Sequence, residues 1–430
     1  MAITEKWRFL FSRLKRRMWF RASLYGALGI VTALLGAVAQ PLIPHGLAGS
    51  IGAGSVGNIL GILATSMLAV TTFSLATMVS AYGTASTTAT PRAARLLIED
   101  TTAQASLATF IGAFLYSIVG LIALSAGIYG DSGRVLLLAA TIAVIVLITV
   151  TLLRWIEQLS RFGRMGETIN LVEDATRRAM QHRARNPWLG GAPYRPPPED
   201  GTAVESGQVG YVEYIDIEQL DRVTRDGGFD IHLQALPGTF AVPGRALATV
   251  AATTLDQEQA ARIRDAFIVG DARTFEHDPR YGLVVLTEVA VRALSPGIND
   301  PGTAIDVIGT AVRLLSGWSQ GRANREDEIE IAYPRVFVPA LREEDMFDDV
   351  FPPIARDGAG MREIGIRLQK ALAALDDLGD ARFQAPLRRH AREALARAQA
   401  TLDFVPDLEA VRAAGRPALL QAPSDVVDER

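Results

Sequence analysis

From Ala22 to Pro91 the chain carries no Lys, Arg, Asp or Glu. A charge-free run of that length can cross a hydrocarbon core twice, at about 20 residues per crossing. Its second half is also crowded with hydroxyls: Thr65, Ser66, Thr71, Thr72, Ser74, Thr77, Ser80, Thr84, Ser86, Thr87, Thr88 and Thr90. At about 100° per residue, Ser66, Ser74, Thr77, Ser80, Thr84 and Thr88 fall on one stripe, away from Leu68, Leu75 and Val79. Lipid tails offer a hydroxyl no partner, so the stripe is expected to face protein or water. Two readings stay open. The stripe could line a polar path, with Ser66, Thr77, Ser80, Thr84 and Thr88 as pore-lining residues. It could instead serve helix packing, because small side chains let helices approach and hydroxyls bond the carbonyl four residues back.

Four apolar spans are expected, at Ala22–Ala39, Val56–Tyr82, Gln104–Ile128 and Val135–Trp155. Before them, Lys6, Arg8, Arg13, Lys15, Arg16 and Arg17 alternate with Trp7, Leu10, Phe11, Leu14 and Met18. This pattern fits a basic amphipathic helix (residues 1–21) on an anionic inner leaflet, retained and not cleaved as a signal. Seven basic residues precede the first span and none lies between Gln40 and Ser55. Arg92 and Arg95 follow the second span, and Arg154, Arg161 and Arg164 follow the fourth. Positive-inside counting therefore places both termini in the cytoplasm. Pro91 is expected to end the second span, leaving Arg92 and Arg95 at the inner surface as anchors or as part of a gate.

The rest of the chain is different in character. Residues 1–155 hold 11 basic and 4 acidic side chains, whereas the whole chain has a net charge of −4, so the remainder is acidic. That balance speaks against a nucleic-acid partner. With no cysteine there is no disulfide, thiol catalysis or thiolate metal site. His45, His182, His232, His277 and His390 lie far apart, with no ligand-like spacing. No metal and no cofactor is expected. Gly52, Gly54 and Gly57 spell G-x-G-x-x-G, but no strand precedes them, which removes the dinucleotide reading.

A polar helical extension is expected over residues 156–185, then a Pro/Gly-rich linker over 186–205. A small β module follows over 206–252, with one alternating set at Val209, Tyr211, Glu213, Ile215 and Ile217 and another at Phe229, Ile231, Leu233 and Ala235. Pro237-Gly238 and Pro243-Gly244 punctuate its later strands. Residues 253–416 read as an α+β and helical region, and 417–430 as a tail. Within it Asp278-Pro279 and Asp300-Pro301 each open a helix, the aspartate capping free amides and the proline needing no donor. Between those helices, Ser295, Asn299, Asp300 and Thr303 sit beside a helix N-terminus. They form either a ligand or ion nest or a well-capped turn. Ile364, Leu368, Leu372 and Leu375 line one later helix; Phe383, Leu387, Leu395 and Leu402 line its partner. The fold class expected is thus a membrane α-helical domain of four transmembrane helices, followed by an α+β cytoplasmic domain with a small β module and helical hairpins.

The strings TPRAARLLIED (Thr90–Asp100), ATFIGAFLYSIVGL (Ala108–Leu121), SGQVGYVEYID (Ser206–Asp216) and HDPRYGLVVLTEVAVRALSPGINDPGTA (His277–Ala304) resemble the bacterial predicted membrane protein family, domain of unknown function 2254. The resemblance runs from the first span to about Trp318. It implies an integral inner-membrane protein with a cytoplasmic C-terminal domain and brings no established catalytic residues.

No P-loop, nucleophile elbow or H-E-x-x-H is present, so an enzyme is not expected. Glu276-His277-Asp278 beside a helix start reads as a cap with a neighbouring surface histidine. The spans hold no acidic or basic relay for ion-coupled transport and show no internal repeat. The expectation is a homo-oligomer in the bacterial inner membrane, forming an ion channel or pore-type transport protein around the hydroxyl stripe and passing a small ion. Its cytoplasmic domain would assemble or gate it. The alternative is a membrane-anchored sensor or interaction module without transport.

Overall fold

The computed structural model describes residues 18–38, 53–323 and 329–420. The chain divides into two compact units, residues 1–168 and 169–430. The basic amphipathic segment lies almost entirely outside the described residues.

The first unit is helical: α1 (Met18–Val38), α2 (Ala53–Thr88), α3 (Pro91–Ile98), α4 (Thr101–Ser125) and α5 (Asp131–Arg161). Within α2, α4 and α5 lie three stretches long and apolar enough to cross a membrane, Gly54–Thr88, Thr101–Ser125 and Ser132–Arg161. The first expected span, Ala22–Ala39, is not among them: within the described residues the apolar part of α1 covers Trp19–Leu35. Capping explains how the short α3 fits between α2 and α4. Thr90 Oγ1 accepts from Ala93 N at 3.1 Å with Pro91 in the first helical turn, and Asp100 Oδ1 accepts from Ala103 N at 2.7 Å.

α4 is the central helix, and α1, α2 and α5 pack on it. Its contact with α1 is set by glycine. A Cβ on Gly29 would run into the carbonyl of Gly112, and one on Gly112 would lie 2.8 Å from the Tyr25 carbonyl oxygen. Small residues let the two backbones meet, as in other packed membrane helices. Buried hydroxyls tie the unit together: Tyr129 Oη donates to the Ala33 carbonyl at 2.5 Å, and Tyr116 Oη lies 3.0 Å from Thr141 Oγ1. The outer face of α5 (Ile142, Val146, Leu147, Val150 and Leu153) is bare and apolar.

The expected continuous extension at 156–185 is broken. α5 stops at Arg161, Gly163 takes a left-handed φ of +79°, and α6 (Met165–Arg185) starts afresh.

The second unit holds two sheets. β1 (Gly191–Pro193), β2 (Thr202–Glu205), β4 (Ile231–Leu233), β6 (Ala246–Val250) and β8 (Tyr333–Val338) form one, in the order β1-β8-β4-β6-β2. β8 runs parallel to both β1 and β4, while β6 is antiparallel to β4 and β2. β5 (Phe240–Ala241), β3 (Gly210–Ile215) and β7 (Phe267–Gly270) form the other, antiparallel sheet. Their common core includes Val212, Ile215, Ile231, Leu233, Leu247, Val250 and Val336. It also takes Leu220 and Val223 from α7 (Ile217–Gly227) and Ile263 from α8 (Gln257–Arg264).

The sheet therefore reaches beyond residues 206–252. β1 and β2 are edge strands inside the stretch expected as linker, because prolines there border short strands that need few ladder bonds. β8 comes from more than eighty residues downstream, beyond three helices. The alternation expected for β3 is also corrected: Val212, Glu213, Tyr214 and Ile215 are all buried, so both faces of the strand are covered.

The remaining helices of this unit are α6, α9 (Pro279–Ala293), α10 (Pro301–Ala323), α11 (Glu343–Asp357), α12 (Arg362–Asp376), α13 (Gln384–Thr401), α14 (Val405–Ala414) and α15 (Pro417–Leu420). α6 docks on α9 where Gly282 leaves room for Thr176, and on α10 through Glu173, whose carboxylate accepts from Arg313 at 2.9 and 2.5 Å. Arg280 of α9 donates to Asp345 and Asp349 of α11, both at 2.7 Å. α11 carries Pro352 and Pro353 inside it, and still buries Met346, Phe347, Val350, Phe351 and Ile354. α13 turns Leu387, His390, Ala391, Ala394 and Ala398 inward, whereas Leu395 and Leu402 are only half-buried. Leu419 of α15 is buried, so the expected tail begins with packed residues.

Candidate functional site

On α2 the stripe residues do not share one environment. Ser66, Ser80, Thr84 and Thr88 are exposed, Thr77 is half-buried, and Ser74 is buried with no hydrogen-bond partner for Oγ. Ser74 lies on the flank of the stripe, which explains why it turns inward while the others remain uncovered by their own subunit. The bare surface of α2 also includes Ile62, Leu68, Phe73, Leu75 and Val79. A hydroxyl stripe and an apolar stripe thus both face outward on this helix.

The threonine donors are already committed. Thr77 Oγ1 donates to the Phe73 carbonyl at 2.9 Å, Thr84 to Ser80 at 3.1 Å and Thr88 to Thr84 at 2.8 Å. Thr65 and Thr72 do the same with Gly61 and Leu68. Each such hydroxyl offers only oxygen lone pairs outward. The threonines of the line therefore present acceptor oxygens outward, suited to water or a cation, with their donors satisfied without either.

Arg92 and Arg95 lie exposed on the short helix α3, whose inner face is Ala93, Ala94 and Leu97.

The turn between α9 and α10 brings Ser295, Asn299, Asp300 and Thr303 together. Ser295 Oγ donates to the Arg292 carbonyl at 2.6 Å, and Asn299, at a left-handed φ of +50°, donates its N–H to Ser295 O at 2.8 Å. Asp300 accepts from the Thr303 hydroxyl at 2.6 Å and from Thr303 N at 3.1 Å. These bonds, the hydroxyl first, hold the Asp300 carboxyl below its ordinary range. The amides that would grip an added anion are met by this carboxylate.

The chain matches the family described as Predicted membrane protein (DUF2254) over residues 15–374. The chain belongs to that family. The match runs past Trp318 to the last turns of α12, leaving α13 to α15 beyond it. Among curated relatives, uncharacterized protein Mb1321c of Mycobacterium bovis and uncharacterized protein Rv1290c of Mycobacterium tuberculosis are each 27% identical over 117 residues. The aligned part is 26% of this chain and 22% of each relative, so the chain spans less than a quarter of the relatives it matches. No solved structure matches it.

In this DUF2254 chain a second cluster was not visible from sequence spacing. Asp278 caps α9 by accepting from Tyr281 N at 3.2 Å, as its Asp-Pro start suggests, but its carboxylate is buried and gripped by Arg273 at 2.6 and 3.0 Å. Desolvation raises its pKa, opposed by the Arg273 bonds. His277 is half-buried, not at the surface as expected. Its ring lies 5.1 Å from Tyr214 and 6.1 Å from His182. Two histidines far apart in sequence thus meet in the fold. Among the described residues, no group of three or more His, Asp or Glu side chains is arranged to hold a metal.

Proposed function

We propose that this membrane protein assembles with copies of itself in the inner membrane around the hydroxyl face of α2, forming a pore for a small ion. In this reading α1 completes a fourth crossing, both termini are cytoplasmic, and the second unit assembles or gates the pore. The observation that carries it is the outward placement of Ser66, Ser80, Thr84 and Thr88 on an otherwise apolar helix. A polar line that its own subunit leaves bare is best placed against water or another protein, since lipid tails solvate neither hydroxyl nor carbonyl oxygen. The outward lone pairs favour a cation over an anion. Arg92 and Arg95 would then stand at the cytoplasmic mouth or anchor it to an anionic leaflet.

A specific observation favours a second reading, in which the helices anchor a cytoplasmic sensor or interaction module. The hydroxyls of Thr77, Thr84 and Thr88 are satisfied by their own helix, so this face tolerates lipid at modest cost.

Purified protein in planar bilayers separates the two. The pore reading expects single-channel currents whose conductance changes with Thr84→Val and Ser80→Ala, and a multimer in nanodiscs. Monomers with no current above empty membranes, or currents unaltered by both substitutions, would leave the anchored module as the reading to keep.

A further inference from the structure

Arg183 lies in the last turn of α6, two residues from its end. It is 2% exposed, and none of its Nε, Nη1 and Nη2 atoms has a hydrogen-bond partner. A guanidinium holds five N–H donors and stays charged at any ordinary pH. Nearly every buried polar group in a folded protein is paired, and an unpaired charge is the costliest exception. Burial, with the repulsion of Arg322, pulls the Arg183 pKa down to about 10 against the attraction of Asp278.

The surrounding charges do not cancel it. Asp278 is close enough to attract Arg183, but both its oxygens are engaged by Arg273 and one also caps α9. Arg322, near the end of α10, repels Arg183. Arg280, two residues after Asp278, is engaged by Asp345 and Asp349. Among the described residues, the charges acting on Arg183 are thus one carboxylate already bound by Arg273 and one repelling guanidinium, Arg322. In the segment linking Arg273 to Asp278, Thr274 Oγ1 is also buried without a partner.

We propose that Arg183 is the anchoring residue of a binding site for a compact oxyanion of the phosphate class, in the second unit of the protein. An added anion would meet a guanidinium that Asp278 leaves without a hydrogen bond and that Arg322 repels. Guanidinium geometry suits the two-oxygen edge of phosphate. The oxyanion is either free phosphate or the phosphoryl group of a larger metabolite.

The test uses the full chain in nanodiscs, exchanged into buffer free of phosphate and sulfate. Inorganic phosphate and AMP are titrated by calorimetry, and the thermal midpoint of the second unit is followed by circular dichroism. Wild-type protein is expected to bind at least one of them and to melt higher as its concentration rises. Arg183→Met is expected to weaken that binding at least tenfold, to lose the shift, and to melt no lower than wild type without ligand, since an unpaired buried charge is gone. Arg322→Gln, at a half-buried position where folding is expected to survive, should weaken binding about threefold and serves if Arg183→Met does not fold. Tighter AMP binding assigns a phosphoryl ligand; phosphate binding with AMP excluded assigns the free ion. Absence of heat and of any shift in wild type at millimolar phosphate and AMP overturns the proposal, as does equal binding by wild type and the variants.

Discussion

His390 gives the sharpest stability prediction. It sits on the inward face of α13, 3% exposed, with its ring 6.1 Å from Phe347 and 5.8 Å from Phe351. Nε2 lies 3.2 Å from Asp348 Oδ1. Burial, then the positive charge of Arg389, pulls its pKa down to about 4, with Asp348 and Glu393 opposing. The unfolded chain, with an ordinary value near 6.5, takes up the proton first as pH falls. The stabilisation is thus fully present above about pH 6.5 and is lost progressively down to about pH 4. Between pH 7 and pH 5 the two pKa values give a loss of about 2 kcal/mol. For a unit of this size that lowers the midpoint by about 4–8 °C. The assay is thermal melting of the second unit in wild type and His390→Phe, in nanodiscs at both pH values. The difference between the two proteins, not either melt alone, isolates His390 from the other titrating groups. If both lose the same number of degrees between pH 7 and pH 5, His390 is not held neutral by the fold and the reasoning fails.

Other substitutions test the packing. Gly112→Leu should cost about 1–3 kcal/mol by forcing α1 off α4, whereas Gly61→Leu, where an added Cβ meets nothing within 4 Å, should leave the melt in detergent unchanged. Equal effects would refute the close approach. Arg280→Ala strands Asp345 and Asp349 beside each other, and because the site is partly solvated the loss should be about 2 kcal/mol, read as denaturant sensitivity of the α9–α11 contact. Asp300→Ala removes a helix cap and should cost about 1 kcal/mol by the same measurement. A much larger loss would show that the turn supports more than the start of α10.

Local signals reached a good part of this architecture. The Asp-Pro starts of α9 and α10 were legible because capping is decided by residues within one turn. The positions of β3 to β6 followed from alternation and Pro-Gly turns. β8 and α11 were missed for complementary reasons: β8 is a strand only through partners far away in sequence, and Pro352-Pro353 hides a helix held by Phe347 and Phe351. The close crossing at Gly29 and Gly112 left a signal that could have been read, since Gly26 and Gly29 stand three apart on an apolar helix. Nothing in sequence spacing could have shown Arg183 without a partner, or His277 against His182 and Tyr214.

By itself, the sequence determined that this chain has long apolar helices, a hydroxyl stripe on the second, and an acidic α+β remainder. Those properties follow from side-chain type and helical period, which act within a few residues. Only the tertiary structure decided which hydroxyls remain bare and which arginine is sealed in without an acceptor. Burial and charge balance depend on whatever other segments arrive at the same place, and no local pattern records that.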